Sequence, residues 1–87
     1  MVIRFARSAF RHGITRDRIR HVVENCPSPQ YAEQPTVPGD WVLYLWHDLN
    51  GIPLEVGAIE TGPDDLLVIH AMRLRKIYEA DYLRMLT

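Results

Sequence analysis

The pattern of apolar and polar positions divides the chain into a helical first part and a strand-rich second part. Over Arg4–His12 apolar residues recur at helical spacing, and Gly13 follows as a stop signal, which predicts a short first helix. Thr15 is a suitable N-cap, and the apolar stripe after it predicts a second helix over residues 16–25. Four of the six prolines lie in residues 27–39, which predicts an irregular surface loop.

Three runs rich in branched and aromatic residues follow that loop and are typical of strands. They span Trp41–His47, Leu54–Glu60 and Leu66–Met72. Asn50 and Gly51 between the first two runs favour a tight hairpin turn, and residues 61–65 (TGPDD) mark a second turn. Because such short turns join neighbouring strands only in antiparallel order, the sequence predicts a three-stranded meander.

The last predicted element is an amphipathic helix over Lys76–Leu86, so the order is helix, helix, strand, strand, strand, helix. We expect an α+β domain in which an antiparallel sheet of three or slightly more strands packs against the first two helices, with the last helix at its edge. A chain of 87 residues has room for one core only, so residues 1–87 are interpreted as a single domain.

Neither a membrane segment nor a bound metal is expected. No apolar run approaches the roughly 18 residues of a membrane-spanning helix, and the first residues lack the apolar region of a secretory signal, so the sequence predicts a cytoplasmic protein. Cys26 is the only cysteine, which excludes an internal disulfide, and the four histidines lack the close pairing of a zinc site. We therefore expect no metal and no cofactor.

Charge is strongly segregated along the chain, although the formal net charge is only -1. Residues 1–23 carry six arginines against one acid, residues 24–65 carry eight acids and neither Lys nor Arg, and residues 66–87 are basic again. If the two ends pack side by side, their arginines would form one positive patch. The alternative is that they are solvated helix faces, as charge runs commonly are.

Two segments of the chain carry a family resemblance. Residues 8–23 read SAFRHGITRDRIRHVV, and residues 64–82 read DDLLVIHAMRLRKIYEADY. They resemble the basic-His-Gly motif with its following helix, and the last core strand with its basic helix, of BrnT-type toxins in the RelE-like ribonuclease superfamily. The resemblance implies a RelE-like fold, RNA cleavage and a tightly bound antitoxin partner. The sequence pI of about 6.4 departs from the basic character of such ribonucleases.

Metal-free RNA cleavage needs a base for the 2′-hydroxyl, an acid for the leaving 5′-oxygen and a fixed cation for the phosphate. His70 is the candidate acid or base, because an imidazole titrates near neutral pH; a plain hydrogen bond at the sheet surface is the alternative. Arg73 is the candidate phosphate contact, since a guanidinium matches phosphate oxygens. Glu55 is a candidate general base, although strand acids more often face solvent.

Four further residues are candidates for RNA binding. Arg75 and Lys76 come shortly after Arg73 and either assist it or merely begin the last helix. Arg11 and His12 belong to the RHGIT motif, so the resemblance to BrnT-type toxins implies that they contact RNA.

Two functions remain open from the sequence. The first is the toxin of a bacterial type II toxin-antitoxin pair, a metal-independent endoribonuclease that cleaves free or ribosome-bound mRNA and assembles with its antitoxin or with itself. The second is a catalytically inactive domain of the same fold that binds a protein partner. Trp41, Tyr44 and Trp46 favour the second function because aromatic residues dominate protein interfaces, yet they would serve equally in a small core.

Overall fold

The computed structural model describes residues 1–32 and 40–87 as a five-stranded mixed sheet with helices on both faces. The strands are β1 (Val2–Phe5), β2 (Gln30–Ala32), β3 (Asp40–His47), β4 (Pro53–Gly62) and β5 (Asp65–Arg73). The α-helices are α1 (Arg16–Asn25) and α2 (Glu79–Leu86), and two 3-10 helices span Arg7–Phe10 and Lys76–Tyr78. The spatial order is β1-β5-β4-β3-β2, with β1 parallel to β5 and the other neighbours antiparallel.

The predicted first helix over Arg4–His12 is wrong. The chain begins with strand β1, whose more exposed and less exposed residues alternate and whose backbone pairs with β5. Only Arg7–Phe10 are helical, as a single 3-10 turn. An apolar pattern this short fits both the period of a helix and that of a strand. The pairing that decides between them, β1 with β5, joins segments that are far apart in the chain.

The expected fold, a RelE-like three-stranded antiparallel meander behind two N-terminal helices, is therefore wrong as well. The meander is present as β3, β4 and β5, but β1 and β2 extend the sheet at both edges. Strand β1 runs parallel to β5 because the connection between them is not a turn but α1 and three strands. Strand β2 lies inside the segment predicted as a loop, and the rest of that segment, residues 33–39, lies outside the described residues.

Different helices cover the two faces of the sheet, which we name the core face and the opposite face. On the core face, the cluster around α1 and the first 3-10 helix includes Ala9, Ile19, Val22, Val42, Tyr44, Leu54, Val56 and Val68. On the opposite face, Leu43 and Leu45 pack with Tyr82 of α2. Strand β3 is apolar at successive positions because both of its sides are buried. Helix α2 thus covers a face and does not lie at the sheet edge as expected.

Helix α1 confirms the prediction for residues 16–25. The side chain of Thr15 accepts a hydrogen bond from the backbone amide of Arg18, and Asp17 places an acid in the first turn, where the helix dipole favours it. The buried side consists of Ile19, Val22 and Val23. Within residues 1–32 and 40–87, no helix is long and apolar enough to cross a membrane.

A β-bulge in β5 decides which side chains share the opposite face. Gly57 of β4 pairs with His70, but the next residue of β4 pairs with Val68, so Ile69 is the extra residue. His70 therefore lies on the same face as Glu55, whereas Val68 belongs to the core face. Strict strand alternation, which puts Val68 and His70 on one face, fails at this bulge.

Candidate functional site

The candidate site consists of polar and charged side chains around Glu55 in β4, whose side chain is 0% exposed. Its carboxylate accepts hydrogen bonds from Nε of Arg75 at 3.0 and 3.1 Å, from Nη2 at 2.7 Å and from the backbone amide of Arg75 at 2.9 Å. Burial by itself would raise the pKa of Glu55, but hydrogen bonds from Arg75 and His70 outweigh burial and hold that pKa below its ordinary value. Glu55 is therefore an ionised carboxylate fixed within the sheet.

His70 is the second partner of Glu55, with its Nε2 3.0 Å from Oε2 of the carboxylate. Because an ionised carboxylate only accepts hydrogen bonds, Nε2 carries the hydrogen, and the neutral ring then presents its lone pair at Nδ1. The side chain of His70 is 29% exposed, whereas Glu55 is sealed from solvent. A buried carboxylate thus orients an imidazole that meets solvent, which is the arrangement that prepares a histidine for proton transfer.

A contact at the bulge places His12 beside His70. The hydroxyl of Ser8 donates to the carbonyl oxygen of Ile69, the extra residue, at 2.6 Å. This bond fixes the first 3-10 helix against β5, and the ring of His12, just beyond that helix, lies edge-on to His70 with the centroids 5.9 Å apart. The site therefore holds two imidazoles that can act as acid and base.

Arg75 gives the site a guanidinium that binds Glu55 and still reaches solvent. Its side chain is 48% exposed, and its Cζ lies 5.6 Å from the ring centroid of Tyr78. The hydrogen bond to Glu55, aided by the attraction of opposite charges, raises the pKa of Arg75. The charges of Glu55 and Arg75 cancel, so protonation of either imidazole makes the site positive. Such a site attracts an anion such as phosphate.

Four of the seven predicted site residues meet in this cluster, namely Glu55, His70, His12 and Arg75. Arg11 and Lys76 are each next in sequence to one of them and are exposed. The contacts of Glu55 favour a role in orienting His70 over the predicted role of general base, because its charge is already engaged. Arg75, predicted from sequence only to bind RNA, is one of the groups that engage it.

Arg73, the predicted phosphate contact, lies apart from this cluster. It is the last residue of β5, pairs with Leu54, and is not among the side chains that hydrogen-bond to Glu55 or His70. Arg73 lines a cavity of about 380 Å³ next to α2, with Leu74, Tyr82 and Leu83 among its walls. The structure therefore does not bring the residue with the strongest sequence signal to the candidate acid and base.

The arginines of the first segment do not all converge on one positive patch. Arg4 pairs with Asp65 at 2.7 Å, and Arg18 pairs with the buried Asp48 at 2.7 Å. Arg16 lies over two phenylalanine rings. These three cations are tied to local partners, two of them acids of the middle segment, so at these positions the charge segregation along the sequence is neutralised in space.

Sequence reasoning missed the contact between Gly57 and Trp41. A Cβ at position 57 would lie 2.6 Å from Cη2 of Trp41 and 3.4 Å from Cβ of His70. The indole of Trp41 therefore reaches from β3 across β4 and rests on the backbone of Gly57 beside His70. A glycine inside a strand-like run is the signal that could have indicated this close approach.

No protein-family model matches the chain, and no curated protein or solved structure is significantly similar to it. Over the part of the chain that the structure describes, no three His, Cys, Asp or Glu side chains are arranged to hold a metal ion. A function is therefore inferred from the sequence and from the Glu55, His70, His12 and Arg75 cluster.

Proposed function

We propose that this chain is the toxin component of a bacterial type II toxin-antitoxin pair and cleaves mRNA as an endoribonuclease that needs no metal ion. The two segments that resemble BrnT-type toxins supply three of the four residues of the cluster: His12 comes from the first, and His70 and Arg75 come from the second. The proposal does not depend on the RelE-like fold. Such an enzyme would act in the cytoplasm on translated mRNA and would be held inactive by its cognate antitoxin.

The observation that carries the proposal is the hydrogen bond from the partly exposed His70 to the buried Glu55, with His12 alongside. In this mechanism Nδ1 of His70 removes the proton of a 2′-hydroxyl, and the hydroxyl oxygen attacks the adjacent phosphorus. His12 in its protonated form donates a proton to the departing 5′-oxygen. The products are a 2′,3′-cyclic phosphate and a 5′-hydroxyl end.

The remaining residues of the site provide charge. Arg75 and the exposed Arg11 supply guanidinium donors to the phosphate, where negative charge grows in the transition state. Glu55 does not contact RNA: it holds the ring of His70 and stabilises the imidazolium that forms when Nδ1 takes a proton.

The test is cleavage of a single-stranded RNA, free and ribosome-bound, by the purified protein in the presence of EDTA. We expect fragments with 2′,3′-cyclic phosphate ends, and growth arrest when the gene is induced in bacteria. His70→Ala and His12→Ala should lose both effects while circular dichroism shows that they remain folded. A folded wild-type protein that cleaves neither form of RNA would contradict the proposal.

The second candidate is an inactive domain that binds a protein partner, and the apolar surface near α2 favours it. Ile77, Leu83 and Leu86 are 71%, 50% and 49% exposed, and Leu83 also borders the cavity beside Arg73. Grouped exposed apolar side chains are a feature of interaction surfaces. Under this function, the product of an adjacent small open reading frame copurifies with the wild type, Leu83→Asp breaks the complex, His70→Ala does not, and RNA is not cleaved.

A further inference from the structure

We propose that Trp41 is a stacking platform for a nucleobase of single-stranded RNA and that it presents the attached phosphate to His70. This inference rests on the proposed function, because it names the form of RNA that the same site accepts. It also assigns a binding role to a residue that the sequence alone suggested only as an interface or core aromatic.

The two tryptophans of the chain differ in whether the core uses them. Trp46 packs against both apolar clusters, and its ring centroid lies 4.3 Å from that of His47. Trp41 belongs to neither cluster of the described residues and is partly exposed. A large aromatic side chain outside the core leaves apolar surface that another molecule can cover.

Gly57 determines where the indole of Trp41 lies. A methyl group at position 57 would be 2.6 Å from Cη2 and 3.0 Å from Cζ2 of Trp41, which is closer than packed carbon atoms approach. The same methyl group would lie 3.4 Å from Cβ of His70. The six-membered ring therefore rests on bare backbone, and a single glycine separates the aromatic surface from the candidate base.

The charges around Trp41 give the bound nucleotide a direction. Asp40 precedes Trp41 and pairs in register with Glu60, and both alternate onto the core face, away from the face on which the indole lies. Further along the sheet from Trp41, His70 of β5 pairs with Gly57, and the half-exposed guanidinium of Arg75 binds Glu55. Because His70 and Arg75 lie on the same face as the indole, a nucleotide whose base stacks on Trp41 directs its phosphate toward His70.

The form of RNA follows from the stacking. Exposed aromatic side chains on a sheet bind unstacked bases of single-stranded RNA, and every base offers a flat aromatic surface for this contact. In a duplex the bases are stacked on one another and none is available to the indole. The site therefore selects single-stranded RNA, and Trp41 determines specificity without taking part in proton transfer.

The binding test uses single-stranded DNA, which lacks the 2′-hydroxyl and cannot be cleaved. Trp46→Phe leaves Trp41 as the sole tryptophan, and an oligonucleotide of thymidines should quench its fluorescence. In the converse variant, Trp41→Phe, the signal of Trp46 should remain unchanged. Removing one base stack should weaken binding about tenfold, which Trp41→Ala measures by fluorescence anisotropy of a labelled oligonucleotide. A duplex should bind about tenfold more weakly than the single strand for the same reason.

Gly57→Ala tests the placement of the indole without removing it. The added methyl group displaces the ring tip of Trp41, so this variant should lose as much affinity as Trp41→Ala, whereas Trp46→Phe should bind as the wild type does. In RNA cleavage, Trp41→Ala should raise KM about tenfold and leave kcat within about threefold, because base stacking is made equally before and during the reaction.

The outcomes separate this inference from the proposed function. If Trp41 is quenched and Trp41→Ala weakens binding, but the wild type cleaves no RNA, the platform stands and the ribonuclease fails. If RNA is cleaved, but Trp41→Ala and Gly57→Ala bind and react as the wild type does, the ribonuclease stands and the platform is overturned. Equal binding of duplex and single strand overturns the stated specificity. Should Trp41→Ala not fold, the quenching of Trp41 in Trp46→Phe and the affinity of Gly57→Ala decide the matter.

Discussion

Asp48 and Glu55 are both carboxylates with 0% exposed side chains, and each is paired with an arginine. Asp48 also accepts hydrogen bonds from the backbone amides of Asn50 and Ile52 in the hairpin between β3 and β4. Glu55 instead accepts a hydrogen bond from the ring of His70. In both cases burial alone would raise the pKa, and the hydrogen bonds outweigh it and lower the pKa.

These two carboxylates differ in the partners that each has besides its arginine. Backbone amides only donate hydrogen bonds, so the contacts of Asp48 hold the turn and tie it to Arg18 of α1. The imidazole of His70 is partly exposed and has one donor and one acceptor nitrogen when neutral, so Glu55 orients a group that can transfer a proton. Burial and an ion pair are common to both sites. A titratable, partly exposed neighbour marks only one of them as a candidate for chemistry.

Removing the imidazole should give the largest effect. His70→Ala is expected to lower the rate of RNA cleavage by about 10²- to 10⁴-fold, the usual contribution of a general acid or base. Its free energy of unfolding should change by less than about 1 kcal/mol, because His70 is partly exposed and Arg75 still satisfies Glu55. His21→Ala on α1 is the matched control and should cleave normally. Equal activity of the two variants would remove His70 from the mechanism.

Neutralising each carboxylate in turn tests the comparison directly. Asp48→Asn and Glu55→Gln should each lose about 2 kcal/mol of unfolding free energy, because an amide N–H replaces a buried oxygen that accepts hydrogen bonds. Only Glu55→Gln should slow cleavage, by about 100-fold, since the ring of His70 is no longer held in one orientation. Urea denaturation and cleavage assays corrected for the folded fraction provide the measurements. The same loss of cleavage in both variants would show that Asp48 and Glu55 do not differ in their role in cleavage.

Several elements of the fold could be predicted from local sequence signals. Helix α1 has an N-cap at Thr15 and a continuous apolar side, and strands β3 to β5 are separated by turn sequences, so each element could be predicted from its own residues. Strands β1 and β2 were missed because they are only four and three residues long and form through pairing with strands elsewhere in the chain. Segments so short carry little periodicity of their own.

The residue types of the candidate site could be predicted from the sequence, but their geometry could not. Glu55 and His70 could be named because a carboxylate and an imidazole in strands are unusual enough to notice. Their contact depends on the bulge at Ile69, and alternation along a strand gives no sign of an extra residue. Arg73 was favoured over Arg75 because sequence adjacency to the strand does not say which residue turns back to a buried acid.

Acid should weaken the fold through the same two carboxylates. In the unfolded chain both titrate near the ordinary value of about 4, whereas in the folded protein the pKa of Asp48 and of Glu55 is lower. Their contribution is therefore complete above about pH 5 and is lost as pH falls toward the lowered values, because the unfolded state then binds more protons. Urea midpoints measured between pH 3 and 7 should show this slope.

The pH slope also has an internal control. The partly exposed Asp65, whose pKa the hydrogen bonds from Arg4 and Thr61 lower to about 2, acts in the same direction. The double variant Asp48→Asn, Glu55→Gln should therefore keep a shallower slope and not a flat one. A slope as steep as that of the wild type would show that neither buried carboxylate is responsible.

The mildest perturbation is at Gly51, in the turn that Asp48 holds. Its φ of 78° lies in the region that residues with a Cβ avoid, yet an added Cβ would meet nothing within 4 Å. Gly51→Ala should therefore lower the free energy of unfolding by about 1 kcal/mol through backbone strain alone, measured in urea. Cleavage per folded molecule should not change, because the strain is confined to the hairpin while His70 lies on β5. A fall in cleavage would mean that the hairpin and His70 are coupled, and Asp48 would then belong to the same functional unit as Glu55.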